Sequence, residues 1–173
     1  MKILLVGASG TLGQAVARHL GQQHDILAAG RHSGSLRVDL TDDASVRELF
    51  AQTGPVDAVI STTGKLHFGP LQQMTPEQFN VGLQDKLLGQ VRLALAAQHH
   101  LNAGGSITLT SGIVSAQPIR DGANATAVNH ALVSCGRRRW NCCRAGCAST
   151  WSARTCWWNR WKPTAPTSPA SKR

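Results

Sequence analysis

The sequence predicts an α/β protein built on a doubly wound parallel sheet, and three observations carry that prediction. Short apolar, β-branched runs alternate with stretches whose apolar residues recur at spacings of three and four. The alternation persists from residue 2 to about residue 134, as strands joined by crossover helices require. A glycine run, Gly7-Ala8-Ser9-Gly10-Thr11-Leu12-Gly13, stands between the first strand and the first helix, where the chain must turn tightly.

Lys2 to Val6 reads as the opening strand. The helix after it repeats Leu12, Val16, Ala17 and Leu20 along one face and meets Gly21 as its stop. Ile26 to Ala29 is the second strand. A helix near Ala44 to Gln52, a strand Ala58 to Ser61, one long helix from about Pro76 to His100 and a strand Ser106 to Ser111 complete the alternation. A further helix starts near Ala125, and His99-His100 is expected to end the long helix by satisfying carbonyls.

The 173 residues suit one domain or a little more, and 42% apolar with 16% charged residues excludes collagenous, disordered and coiled-coil classes. No run approaches the roughly 18 apolar residues of a membrane span, and Ile3 to Val6 falls short of a signal-peptide core of roughly 7 residues. A cytoplasmic location without membrane partners is expected. The charge is unevenly spread. Residues 1–134 hold nine Lys plus Arg against nine Asp plus Glu, so the whole formal charge of +9 lies in residues 135–173. That segment also holds all five Cys and all five Trp, with no Val, Ile, Leu, Met or Phe.

The glycine run has chemical meaning because of its place. Without a Cβ, the backbone approaches a pyrophosphate closely, while the free N–H groups and dipole of the helix starting near Thr11 stabilise negative charge. Gly7, Ser9, Gly10, Thr11, Leu12 and Gly13 form the expected dinucleotide cradle. At the end of the second strand an acid would bind a ribose 2′-hydroxyl and a cation a 2′-phosphate. The residues there are Ala29-Gly30-Arg31-His32-Ser33, with no acid. Arg31 pairs bidentately with phosphate and Ser33 adds a hydrogen bond, so NADP is expected over NAD.

From Lys2 to about Ser134 these residues resemble the short-chain dehydrogenase/reductase family, in the GxxGxxG form of its less common members. Val38-Asp39-Leu40-Thr41 resembles the family's Asp-hydrophobic pair that holds the adenine. Ser61-Thr62-Thr63-Gly64 resembles the segment after the fourth strand that lines the cofactor. Ile107-Thr108-Leu109-Thr110-Ser111-Gly112 resembles the fifth strand ending in the catalytic serine. The resemblance implies a Rossmann-like sheet, incomplete here at its C-terminal edge, with residues 1–134 as the NAD(P)-binding domain. It adds Asp39, Leu40, Ser61, Thr62 and Gly64 to the cofactor site. It also implies hydride transfer between the nicotinamide and a small carbonyl or alcohol substrate.

The family's tyrosine acid/base has no counterpart, since the chain contains no Tyr. Read back from Asn129-His130-Ala131-Leu132, Ala125 takes the tyrosine position and Asn129 the lysine position, and neither side chain titrates. Lys86 takes the place of the asparagine that extends the proton relay. Of the four, only Ser111 is present. One reading keeps an NADP-dependent oxidoreductase in which Ser111 orients the substrate and Lys86 or a bound water supplies the proton. The other is a non-catalytic dinucleotide-binding or regulatory protein. The seven histidines show no metal-ligand spacing, and no metal is expected.

Cys135, Cys142, Cys143, Cys147 and Cys156 give no paired CxxC spacing. Basic residues with tryptophans suit nucleic acid, yet a segment without aliphatic residues has no apolar face to fold around, so that is the lesser reading. A shifted reading frame explains more. Moving one base in G/C-rich codons turns Arg144 to Arg154 into Pro-Arg-Gly-Leu-Arg-Ile-Asn-Val-Val-Ser-Pro, which resembles the family's sixth strand, and restores aliphatics and acids together beyond it. In the family the region so lost supplies the last strands, the substrate lid and much of the contact of a homo-oligomer. An uncovered sheet edge and apolar faces then predict aggregation or partial folding.

Overall fold

The computed structural model describes residues 1–136. Five parallel strands, β1 (Lys2–Val6), β2 (Asp25–Gly30), β3 (Leu36–Arg37), β4 (Val56–Ser61) and β5 (Leu101–Thr108), lie in the order β3-β2-β1-β4-β5. The chain winds outward from β1 in both directions, so a crevice opens where the strand order reverses, at the carboxyl ends of β1 and β4. Ile3, Leu4, Leu5 and Val6 are all buried, as a central strand covered on both faces requires.

The helices are α1 (Thr11–Leu20), α2 (Asp43–Thr53), α3 (Pro76–Gly82), α4 (Gly89–Ala97) and α5 (Ala123–Gly136). Asp42 caps α2 by accepting from the amides of Ala44 and Ser45, and Thr75 with Gln78 forms a capping box on α3. Leu49 and Phe50 of α2 and Leu93 and Ala97 of α4 pack with Leu4, Val6 and Val59 in one core.

The elements expected from sequence are present, with four corrections. The two-residue β3 is too short to leave a periodic signal. The single helix expected over Pro76 to His100 is instead α3, a wide π-helical turn Leu83–Leu88, and α4. In that turn the Gly89 amide donates to Gln84 O, five residues back, while the fully buried Gln90 side chain takes Lys86 O at 3.2 Å. Gln90 also exchanges hydrogen bonds with the main chain of Thr110, at 3.1 and 3.0 Å, so the irregular winding is held from outside the helix.

The third correction concerns Ser111. The strand expected over Ser106 to Ser111 starts at Leu101 and ends at Thr108, and only Ser106–Thr108 pairs regularly, with Ala58–Ile60. Ser111 therefore lies on the loop beyond β5. The fourth concerns His99 and His100, whose main-chain amides, not their rings, bond Ala96 O and Ala97 O. The His100 ring stacks on Phe50 at 4.9 Å. Beyond Gly136, the segment that carries the nucleic-acid and reading-frame readings and most of the cysteines lies outside the described residues.

Candidate functional site

The turn after β1 is fixed by its own backbone. Gly7 has φ +90°, a conformation that side chains disfavour, and its amide donates to Ala29 O at 2.8 Å while its carbonyl accepts from Gly10 at 3.1 Å. A Cβ on Gly7 would meet Thr63 Cγ2 at 2.6 Å and Thr62 Oγ1 at 2.9 Å, and one on Gly13 would run into Gly7 O. Thr62 holds the turn from below, donating its hydroxyl toward Val6 O at 3.1 Å and Gly7 O at 3.0 Å.

The amino end of α1 is different. Gly10 is its N-cap, no side chain caps it, and no acid stands in its first turn. Its leading N–H groups and the positive end of its dipole therefore face outward without a counter-charge. A Cβ on Gly10 would find only Gly7 O, at 3.5 Å. Ser9 and Ser33 join their hydroxyls at 2.7 Å, which ties this turn to the loop after β2.

Beside the turn lies a cleft of about 270 Å³, lined by Val6, Gly30, Arg31, His32, Val38, Leu40, Thr63, Gly64, Lys65 and Asp85. Its apolar wall is Val6, Val38 and Leu40, and its charged rim is Arg31, Lys65 and Asp85. Arg31 Nη2 donates to Asp39 Oδ1 at 2.6 Å and to Asp85 Oδ2 at 3.3 Å. The Asp39 bond does most to push the Arg31 guanidinium above its usual value. Partial burial pushes the Asp39 carboxyl up, but hydrogen bonds from the Thr41 hydroxyl and amide and then from Arg31 outweigh it and hold Asp39 at about 2. The other oxygen of Asp85 accepts from the Lys65 amide at 2.7 Å.

Lys86 follows Asp85 in the wide turn and is only 7% exposed. Its stem lies against Gly64, where a Cβ would meet Lys86 Cγ at 2.5 Å and Cδ at 3.0 Å. Burial pushes the Lys86 ammonium below its ordinary value, partly offset by Asp85. Among the described residues it makes no hydrogen bond through its side chain. Ser111 instead points its hydroxyl at α5, toward Asn129 O at 3.0 Å and Asn129 Oδ1 at 3.3 Å. Asn129 is 1% exposed and its amide donates to Ala125 O at 2.8 Å, while Ala125 is fully buried.

Of the expected cofactor residues, Arg31, Leu40 and Gly64 line the cleft, and Asp39 joins it through Arg31. Ser9 and Ser33 bond each other and Thr62 holds Gly7, while Gly10 and Thr11 open α1 and Gly13 packs under the turn. Leu12 lies exposed on α1, and Ser61 is buried at the end of β4, its hydroxyl on Thr63 Oγ1 at 3.2 Å and its carbonyl on the Thr110 hydroxyl at 2.5 Å. No hydrogen bond joins Ser111 to Lys86 among the described residues. Sequence reasoning missed Asp85 and Lys65 as lining residues, whereas Thr63 lies in the segment expected to line the cofactor. An adjacent acid and base in an otherwise apolar helical stretch, Asp85-Lys86, was the available signal for the first.

A family profile described as enoyl-(acyl carrier protein) reductase matches residues 7–139. A protein of Listeria innocua with a known crystal structure is 46% identical, covering 78% of this chain and 67% of that one, with a TM-score of 0.76. A small-chain dehydrogenase crystallised in complex with NADPH is 27% identical, covering 79% of this chain and 62% of that one, with a TM-score of 0.74. An uncharacterized NAD-dependent oxidoreductase of Mycobacterium tuberculosis is 31% identical over 75% of this chain and 50% of its own length. The chain spans about half the length of the curated relatives it matches. With the strand order, the glycine turn and the crevice in place, the profile and the relatives agree: the chain belongs to the short-chain dehydrogenase/reductase family of oxidoreductases.

Proposed function

We propose that residues 1–134 bind NADP across the carboxyl ends of β1, β2 and β4, in the service of hydride transfer between the nicotinamide and a small carbonyl or alcohol. The observation that carries this reading is the amino end of α1, uncapped and free of acids, beside a cleft whose rim holds Arg31. The open space at Gly10 fits a pyrophosphate approaching the backbone. The Val38 and Leu40 wall fits a flat adenine, with Asp39 at its edge. Arg31 and Ser33 would receive the 2′-phosphate. NADPH is the ligand of one structural neighbour, whereas a Mycobacterium tuberculosis relative is named NAD-dependent. The choice of NADP therefore rests on Arg31.

A bound nicotinamide supplies or accepts the hydride. Ser111 orients the substrate oxygen by turning its hydroxyl from Asn129, and Lys86 or a bound water holds the proton. A buried amine with a lowered pKa gives up or takes a proton closer to neutrality than a solvated lysine does. Fluorescence titration of NADPH and NADH into monodisperse full-length chain tests the reading. Saturable quenching with tighter binding of NADPH is expected, and failure of both to bind would sink it.

A second reading is favoured by the buried pair Ala125 and Asn129, neither of which titrates. In it the chain binds dinucleotide without turning it over, as a regulatory protein. Tight NADPH binding with no NADPH consumption across a broad carbonyl panel would select it.

A further inference from the structure

We infer that Asp85 sets how strongly the cleft distinguishes a 2′-phosphorylated from an unphosphorylated dinucleotide, through its share of Arg31. The inference rests on the dinucleotide reading proposed above. Both carboxylates that meet Arg31 use the same nitrogen, Nη2, at 2.6 Å for Asp39 and 3.3 Å for Asp85. Lys65 on the same cleft balances the wider count, while around Arg31 itself one guanidinium meets two carboxylates. Their roles differ, however. Asp39 is anchored locally, accepting from the Thr41 amide at 2.9 Å and the Thr41 hydroxyl at 2.7 Å. Asp85 reaches over from the wide turn, and its second oxygen is occupied by the Lys65 amide at 2.7 Å.

Two consequences follow for a ligand held by Arg31. A phosphate there stands beside the Asp85 charge, which repels it and competes for Nη2. A ribose hydroxyl carries no charge and can donate to the same carboxylate. Asp85 thus penalises the phosphorylated cofactor selectively, while Arg31 draws it in. The Lys65 bond holds the carboxylate in place, so it cannot simply turn away to solvent.

The test is Asp85→Asn in the full chain, which keeps an oxygen for the Lys65 amide and removes the charge. Dissociation constants for NADPH and NADH are read by fluorescence titration at low and high salt. NADPH should bind roughly tenfold more tightly in the variant at low salt, the scale of one charge a few ångströms away at intermediate dielectric, and the gain should shrink as salt rises. NADH affinity should not rise, because its ribose hydroxyl then meets a neutral acceptor in place of a carboxylate. Asp85→Ser serves as the second variant, with far-UV circular dichroism verifying that each is folded. An unchanged NADPH-to-NADH ratio in both folded variants overturns the role of Asp85 and leaves the dinucleotide reading standing. Wild-type protein that binds neither cofactor overturns both.

Discussion

Ser111 donates its hydroxyl to the main-chain oxygen of Asn129 at 3.0 Å, so the loop beyond β5 is pinned to the middle of α5 by a residue whose own amide is buried. Asn129→Ala removes the amide bond to Ala125 O and the second acceptor for Ser111. It should destabilise the chain by about 1–3 kcal/mol, the usual cost of a broken buried hydrogen bond, measured by urea denaturation. No loss of stability would mean that α5 does not depend on this contact.

Two glycines in the same turn should behave differently. Gly13→Ala forces a methyl onto Gly7 O and should cost about 1–3 kcal/mol in stability as overpacking. Gly10→Ala has room in the fold and should change stability by about 0.5 kcal/mol or less. It should nevertheless weaken NADPH binding markedly, because the methyl occupies the approach to the first turn of α1. Equal binding by Gly10→Ala and wild type would remove the pyrophosphate from this turn.

Lys86→Met keeps a buried stem of similar length and deletes the amine. Because the folded-state pKa of Lys86 lies below its ordinary 10.5, the wild type binds fewer protons folded than unfolded, and its stability rises with pH through that window. The methionine variant should therefore gain stability at neutral pH, with the gain fading as pH approaches 10.5. If Lys86 supplies the proton, turnover should fall by about 10²–10⁴ with NADPH affinity unchanged. Undiminished turnover would return that role to water.

Asp39 gives the opposite sign. Held at about 2, its carboxyl contributes stability that is present above its ordinary value of 3.8 and is lost as pH falls toward 2. With 40% of the side chain exposed, the contribution is at most about 1 kcal/mol after solvent screening. Asp39→Asn should therefore be less stable than wild type at pH 6 and converge on it near pH 2, which thermal melts across that range would show.

The composition break at Ser134 makes a prediction about the gene. Sequencing the coding DNA around that codon is expected to show one base gained or lost relative to a frame encoding the aliphatic-rich alternative. The chain with that frame restored should be more soluble than the present one. An uninterrupted frame in independent isolates would refute the shift.

Much of the scaffold was legible because its signals are local. Apolar runs marked β1 and β4, and Gly7 to Gly13 marked both the turn and the helix that follows. Arg31 was legible as the cation at the end of β2, but its partners were not, since Asp85 lies 54 residues away and only tertiary folding brings it near. The wide turn leaves no local signal for a related reason. Nothing in Leu83 to Leu88 breaks a helix, and the bonds that accompany the wide turn run from Gln90 to Lys86 O and to Thr110 across the fold. The apolar alternation runs on past Thr108, where pairing has already ended, so the sequence alone extends the strand to Ser111.

The wide turn ties together properties that a regular helix would keep apart. Asp85 reaches Arg31 at one end of the crevice, while the very next side chain lies along Gly64. Deleting a single residue there would let the stretch close into ordinary winding with α3 and α4 keeping their faces, because the wide turn takes up one residue more than a regular one. The offset that sends these two adjacent side chains to different walls would be lost with it, so a change of length here would disturb nucleotide choice and the neighbouring amine together.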